Sequence, residues 1–235
     1  MTRQRLHLVV VAAWAVFFVW LIATGEIVRY IGPRTKWVVW FGAAALIATG
    51  IALAVVARRP DPRRAAPLGV GETIGILALL LPIVAVVVVP QPNLGALGAS
   101  RKLIGGLAAT GGFVPVPDGG AVSFQEISFA SRSPGYAASL GVSEGVPVDL
   151  TGFVTHPAGS PPGTFALTRF AIFCCAADAT PYSVAVDPTG AAGNDDFPDD
   201  TWLTVKGALA RVDGSFVLLA DDIIAVDEPK DPYVY

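Results

Sequence analysis

Three long uncharged apolar stretches near the N-terminus limit what this chain can fold into more than any other feature. Residues 6–24 contain no aspartate, glutamate, lysine or arginine, and neither do the 21 residues 37–57 or the 17 residues 73–89. A helix needs about 20 apolar residues to cross the hydrocarbon core of a bilayer. The sequence therefore predicts three transmembrane helices, at about residues 6–24, 37–57 and 72–90, in a membrane anchor that comprises residues 1–92.

The first stretch has some features of a signal peptide. Arg3 and Arg5 form a basic segment before the apolar run, as they would in a secretory signal. The run is longer than the hydrophobic segment of most signal peptides, however, and residues 23–26 (Ala-Thr-Gly-Glu) make a poor cleavage site. We therefore expect an uncleaved membrane span.

The basic residues that flank the spans predict the orientation. Two precede the first span, three lie between the first and second, and four lie between the second and third: Arg3 and Arg5; Arg29, Arg34 and Lys36; Arg58, Arg59, Arg63 and Arg64. Lysine and arginine are enriched in cytoplasmic loops. We therefore expect a multi-pass protein of the bacterial cell membrane with a cytoplasmic N-terminus and an extracytoplasmic C-terminal domain.

The two halves of the chain carry opposite charge. Residues 1–120 contain 11 Lys/Arg and 4 Asp/Glu, a net charge of +7, whereas residues 121–235 contain 5 and 15, a net charge of −10. A basic membrane half and an acidic second half indicate an anchor followed by a separate domain. Because an acidic domain repels phosphate backbones, we expect no nucleic-acid partner.

The C-terminal half has the pattern of a small β-domain. Residues 93–121 are rich in glycine, proline and alanine, as linkers are. Short runs with β-strand character follow, at residues 122–130 (the weakest), 146–154, 164–175, 182–187, 202–211 and 215–226. Gly152 and Gly207 interrupt two of them, as glycine does where strands coil to close a barrel. We predict an OB-like five-stranded β-barrel over residues 122–235, with an open β-sandwich as the alternative.

The only two cysteines are adjacent, at the end of the apolar run 164–175, and an aspartate follows closely. Side chains alternate between the faces of a strand, so Cys174 and Cys175 can converge only if the strand breaks there into a turn. Three interpretations remain open: a site for zinc or another soft metal ion formed by Cys174, Cys175, Asp178 and His156; a redox-active thiol pair; or two small buried side chains at a strand end.

Other charged residues have structural interpretations. Arg169 lies in an otherwise apolar run, so we expect it to pair with an acid such as Asp149, because a lone buried charge is costly. Asp178 is also well placed to cap a short helical turn. Residues 194–200 contain four carboxylates, but their spacing does not match an EF-hand, which favours a solvated loop over a calcium site.

Several segments resemble the YcgQ-like family of bacterial membrane proteins, which are described as subunits of a two-component membrane permease. The resemblance is carried by residues 24–31 (TGEIVRYI), 152–154 (GFV), 169–181 (RFAIFCCAADATP), 202–207 (WLTVKG) and 229–235 (PKDPYVY). The signature positions include Gly152, Arg169, Phe170, Trp202 and Gly207. Some relatives carry a histidine-rich linker between the second and third spans, but residues 58–64 contain no histidine, so the resemblance implies no metal-handling linker here.

These features together predict a non-enzymatic accessory subunit. Three apolar spans without charges at the bilayer centre are too few and too apolar to form a polar pathway. The resemblance implies a separate multi-span permease subunit as partner, besides membrane lipid. We expect the strand that is apolar on both faces, with Phe153 and Trp202, to supply the docking surface. The alternatives are a membrane-anchored metal-binding or thiol-redox protein that acts through Cys174 and Cys175, or a structural envelope protein.

Overall fold

The computed structural model describes residues 3–58, 69–88, 94–104, 121–191 and 196–235. The chain divides into two compact units. The first unit comprises Met1–Pro92 together with the short segment Cys174–Ala176, and the second comprises Asn93–Phe173 and Ala177–Tyr235.

The first unit contains two helices that are long and apolar enough to span a membrane. Helix α1 extends over Arg3–Thr24 and helix α2 over Lys36–Ala57. The two helices pack against each other. Their buried side chains include Phe17 of α1 and Val39 and Ala43 of α2. Most of the remaining surface of both helices stays exposed, as expected for helices whose outer faces meet lipid or other helices.

The third predicted span is broken in the middle. Helices α3 (Val70–Ala78) and α4 (Leu81–Val88) are bent by 43° with respect to each other. Helix α3 ends at Ala78, four residues before Pro82. In a continuous helix the ring of Pro82 would clash with the Ala78 carbonyl, and proline has no amide hydrogen to donate to it. The described residues therefore contain two helices that are long and apolar enough to span a membrane, or three if the bent pair is one span. Residues 89 and 90 of the predicted span lie outside the described residues.

The second unit is a closed five-stranded β-barrel. Its strands are β1 (Pro147–Thr155), β2 (Phe165–Ala171), β3 (Thr180–Asp187), β4 (Trp202–Val212) and β5 (Ser215–Ala225). The sheet order is β1-β4-β5-β3-β2, and β2 pairs with β1 again, so the sheet closes on itself. Strands β3 and β5 are parallel, and the other barrel pairs are antiparallel. This is the Greek-key arrangement of an OB-fold, which confirms the predicted barrel and excludes the open sandwich.

The two mid-strand glycines allow the barrel to close. A Cβ atom at Gly152 would lie 2.7 Å from the Thr168 carbonyl oxygen of the neighbouring strand. A Cβ atom at Gly207 would overlap the Leu219 carbonyl oxygen, and the register between β4 and β5 shifts between Lys206 and Gly207. Both positions are places where two backbones come closer than any side chain permits.

The weakest predicted strand is in fact helical. Helix α6 (Phe124–Arg132) occupies most of residues 122–130, and helix α7 (Pro134–Leu140) follows directly. The Ser123 side chain accepts a hydrogen bond from the Glu126 backbone amide, and the Glu126 carboxylate accepts one from the Ser123 amide. This capping box starts the helix, whose Phe124 and Ile127 side chains join the barrel core.

The region assigned to a linker, residues 93–121, also contains a helix. Helix α5 extends over Ala96–Ile104. Its small side chains Ala96 and Ala99 are buried in a hydrophobic cluster with Phe153 and Phe170 of the barrel. Alanine has the highest helix propensity, and packing against the barrel adds the stability that a nine-residue helix lacks alone. Residues 105–120 lie outside the described residues.

Candidate functional site

The strand that leads to the cysteines ends earlier than its apolar sequence suggests. Strand β2 stops at Ala171, and the chain bends before a short 3₁₀ turn at Ala176–Asp178. The Asp178 carboxylate accepts a 2.8 Å hydrogen bond from the Phe173 amide, which closes the loop around both cysteines. The sequence suggested that Asp178 caps a short helical turn. In the structure it is the last residue of the 3₁₀ turn and does not cap its N-terminus.

The break in the strand brings the two thiols together. The Sγ atoms of Cys174 and Cys175 are 3.7 Å apart, and the residues are half-buried and not joined by a disulfide. One ligand atom from each of Cys174, Cys175 and Asp178 can be chosen so that all three lie within 4.8 Å of one another. Two sulfur atoms and a carboxylate oxygen suit a soft or borderline cation, but they are one ligand short of a tetrahedral zinc site.

His156, the fourth candidate ligand, has a different partner. Its Nδ1 atom lies 2.8 Å from Oδ1 of Asp199, and its backbone amide donates to the same oxygen. Among the described residues, three potential ligands come together in the group Cys174, Cys175 and Asp178, and His156 is not part of it. His156 instead connects the loop after β1 to the loop before β4.

The acidic stretch 194–200 is divided among structural roles where the structure describes it. Asp199 binds His156, and the Asp200 carboxylate accepts a hydrogen bond from the Ala96 amide at the start of α5. An acid at the N-terminus of a helix satisfies a free amide and interacts favourably with the helix dipole. Residues 194 and 195 lie outside the described residues.

The cysteine segment is hydrogen-bonded to the loop between α1 and α2. Within the first unit, Cys175 forms an antiparallel bridge with Ile31. The Gly32 amide donates to the Cys174 carbonyl at 3.1 Å, and the Ala176 amide donates to the Tyr30 carbonyl at 2.8 Å. Residues of two segments that carry the family resemblance, Tyr30 and Ile31 of residues 24–31 and Cys174–Ala176 of residues 169–181, therefore meet within the first unit.

A threonine adds a third hydrogen bond. The Thr35 hydroxyl donates to the Cys174 carbonyl over 2.6 Å, and it also lies 3.2 Å from the Gly32 carbonyl. Thr35 is the residue that precedes α2. The sequence does not single out Thr35, because a lone threonine before an apolar stretch carries no signal of a contact 139 positions away.

We predicted that Arg169 pairs with Asp149, but the structure shows other partners for it. Its guanidinium donates hydrogen bonds to three backbone carbonyls, those of Asp231 (2.8 Å), Thr151 (3.2 Å) and Pro232 (3.3 Å). Burial lowers the pKa of Arg169 from its usual value, while the Asp231 carboxylate and Tyr235 act in the opposite direction.

The chain end that Arg169 holds is an additional strand of the sheet. Strand β6 (Tyr233–Val234) pairs in parallel with the end of β2, where β1 no longer pairs with it. Asp149 is instead 3.6 Å from the Lys206 ammonium on the exposed surface. Arg169 therefore fixes the C-terminal segment to the barrel.

Phe153, one of the predicted docking residues, is covered by the chain itself. Phe153 is 2% exposed and stacks on Phe170, with ring centroids 5.8 Å apart. Trp202 packs edge-on against Phe153 at 5.6 Å and is only partly exposed. The prediction that Phe153 faces a partner was wrong, because α5 and β6 contribute to the buried cluster around it, whereas Trp202 keeps part of its surface exposed.

Comparison with known proteins gives one match. Residues 140–235 match the family model of the DUF1980 C-terminal domain. The matched range covers the barrel, the two cysteines and β6, and it is consistent with the resemblance found in the same part of the sequence. No curated protein and no solved structure matches the chain.

Proposed function

We propose that this protein is a non-enzymatic accessory subunit of a membrane permease complex. Its apolar helices anchor it beside a separate multi-span transporter subunit, and its β-barrel lies on the extracytoplasmic side, where it docks on that subunit or presents solute to it. The DUF1980 match supports a membrane-associated accessory role.

The observation that carries the proposal is the composition of the spanning helices. Over the described residues, α2 contains no ionisable side chain after Lys36, and α1 contains none after His7. A solute pathway through a bilayer needs polar or ionisable groups that face the bundle interior. Because α1 and α2 offer no ionisable group over the rest of their lengths, we expect a partner to supply the pathway.

Helix α2 presents a surface on which such a partner can pack. Trp37, Trp40 and Phe41 are spaced so that they share one face of the helix, and they are 65%, 62% and 69% exposed. Aromatic side chains also anchor helices at the membrane interface. The proposal requires that at least part of this aromatic face contacts protein in the intact membrane.

Photo-crosslinking in living cells tests the proposal. A photoreactive phenylalanine derivative replaces Phe41, and crosslinked products are purified and identified by mass spectrometry. We expect a product with one membrane protein of many spans. The matched control places the same derivative at Phe17, which is 9% exposed and should give only links within the chain. Products limited to lipid at Phe41, with no transporter recovered in mild detergent, would contradict the proposal.

The geometry of the cysteine segment favours a second candidate function, that of a membrane-anchored metal-binding or thiol-redox protein. Convergence of two thiols and one carboxylate within 4.8 Å is the specific observation in its favour. Zinc or another soft ion would be held by Cys174, Cys175 and Asp178, and a ligand from outside this group would complete the coordination.

Elemental analysis separates the two functions. Under the second, the purified full chain retains about one equivalent of a thiophilic metal, and the double variant Cys174→Ser/Cys175→Ser loses it while the barrel stays folded. Under the first, neither protein retains metal and both recover the same partner. Asp178→Asn is the informative intermediate: it keeps both thiols and should weaken metal retention, with circular dichroism as the check on folding.

A further inference from the structure

The backbone on both sides of Cys175 is fixed by the loop between α1 and α2. The Cys174 carbonyl accepts hydrogen bonds from the Gly32 amide and the Thr35 hydroxyl, and the Ala176 amide donates to the Tyr30 carbonyl. These groups lie more than 130 positions apart in sequence. The cysteine segment is therefore held on the loop at both ends of the thiol pair.

This attachment explains why the thiols converge. In an extended strand, adjacent side chains point to opposite faces, which would separate the two sulfur atoms. Here the backbone leaves the strand before Cys174, and Cys175 forms only an isolated bridge to Ile31. The result is a distance of 3.7 Å between the sulfur atoms, short enough for one atom to bond to both.

We infer that Thr35 is a positioning residue for a dithiol site that takes thiophilic ligands able to bond to both sulfurs at once, such as trivalent arsenicals and soft metal ions. The inference rests on the second candidate function and names its ligand class and a residue that shapes it. Because binding is linked to the hydrogen bonds of the loop, ligand at the thiols also stabilises the Tyr30–Thr35 loop, and the effect is reciprocal.

Phenylarsine oxide is the probe, because it needs two neighbouring thiols and no resident metal. In its hydrated form the arsenic carries two hydroxyl groups. Two S–H and two As–O bonds break, two S–As bonds form, and the protons leave with the hydroxyl groups as two water molecules, without a change of oxidation state. Cys174 and Cys175 are the only cysteines in the chain, so any dithiol adduct is located there.

Three single variants isolate the role of the Thr35 hydroxyl. Thr35→Val has the same shape without the hydroxyl, and Thr35→Ser keeps it. Thr73→Val removes a similar hydroxyl-to-carbonyl hydrogen bond, 3.1 Å long, from the start of α3. We expect the wild type, Thr35→Ser and Thr73→Val to bind one arsenical per chain with equal affinity, and Thr35→Val to bind it about fivefold more weakly, as the loss of one hydrogen bond implies.

The rate of alkylation by iodoacetamide distinguishes a positioning role from a merely structural one. If Thr35 only maintained the local fold, its replacement would change this rate. Iodoacetamide alkylates one thiol at a time and does not require convergence, so its rate should be the same in Thr35→Val and the wild type. Hydrogen exchange of the peptide that contains residues 25–35 should slow by about fivefold when the arsenical binds to the wild type, and not in Cys174→Ser/Cys175→Ser.

The inference is overturned if Thr35→Val binds the arsenical like Thr73→Val, or if the wild type forms no adduct with both thiols. It is also overturned if Thr35→Val changes alkylation as much as arsenical binding, because that result means local unfolding. A wild type that carries no metal but binds the arsenical as described would reject the metal-binding function alone and leave the positioning role of Thr35 supported.

Discussion

Arg169 offers the sharpest test of how the C-terminal segment is held. Replacing it with methionine keeps an unbranched apolar stem in place of the arginine side chain and removes the hydrogen bonds to the carbonyls of Thr151, Asp231 and Pro232. Hydrogen bonds from a charged donor contribute about 1.5–3 kcal/mol each. Burial of the guanidinium, which lowers its pKa, offsets part of this sum.

We therefore expect Arg169→Met to lower the free energy of unfolding of the barrel by about 2–4 kcal/mol. In thermal unfolding followed by near-ultraviolet circular dichroism, that loss corresponds to a decrease in Tm of roughly 10 °C. Arg169→Lys keeps the charge but lacks the fork of donors, so it should fall between the wild type and Arg169→Met.

A double-mutant cycle locates the effect. Removing residues 231–235 deletes two of the three acceptors, so Arg169→Met should cost much less in the shortened chain than in the full chain. Hydrogen exchange of the C-terminal peptide should also rise in Arg169→Met. Equal costs in both chains, or unchanged exchange at the chain end, would refute a role of Arg169 in fixing this segment.

Three further perturbations have defined outcomes. Gly207→Ala should destabilise the barrel by about 2–4 kcal/mol in thermal unfolding, because its Cβ atom overlaps the facing strand, whereas Gly75→Ala, whose Cβ atom would meet nothing beyond its own helix within 4 Å, should leave the barrel unchanged. Burial and the neighbouring Asp231 carboxylate raise the pKa of Tyr235, so the unfolded chain loses this proton first; stability should fall as pH rises above about 10, and Tyr235→Phe should reduce that fall in alkaline denaturation. Ser123→Ala removes the capping box and should cost about 1 kcal/mol.

The barrel was predictable because strands such as β1 and β4 alternate apolar and polar residues, and a glycine interrupts each of these two. Helix α6 was missed although its signal is in the sequence: Ser123 and Glu126 have the spacing of a capping box. Helix α5 had no comparable signal. Its alanines and glycines are typical of a linker, and its burial depends on the aromatic cluster of Phe153 and Phe170.

The candidate site was predictable only in part. The adjacent cysteines and Asp178 were identified from composition and spacing, and the structure places potential ligand atoms of all three within 4.8 Å of one another. The contact with Thr35 depends on the tertiary fold. The expected pairing of Arg169 with Asp149 failed for a related reason: charge patterns predict ionic partners, whereas Arg169 binds backbone carbonyls that every residue carries.

The proposed function depends most directly on the side of the membrane where the barrel lies. Ser215→Cys, at the exposed first residue of β5 directly after the β4–β5 turn, introduces a single reactive thiol when Cys174 and Cys175 are replaced by serine. A membrane-impermeant maleimide applied to intact cells should label this cysteine as fully as it does after lysis. Labelling that appears only after lysis would place the barrel in the cytoplasm and contradict the account.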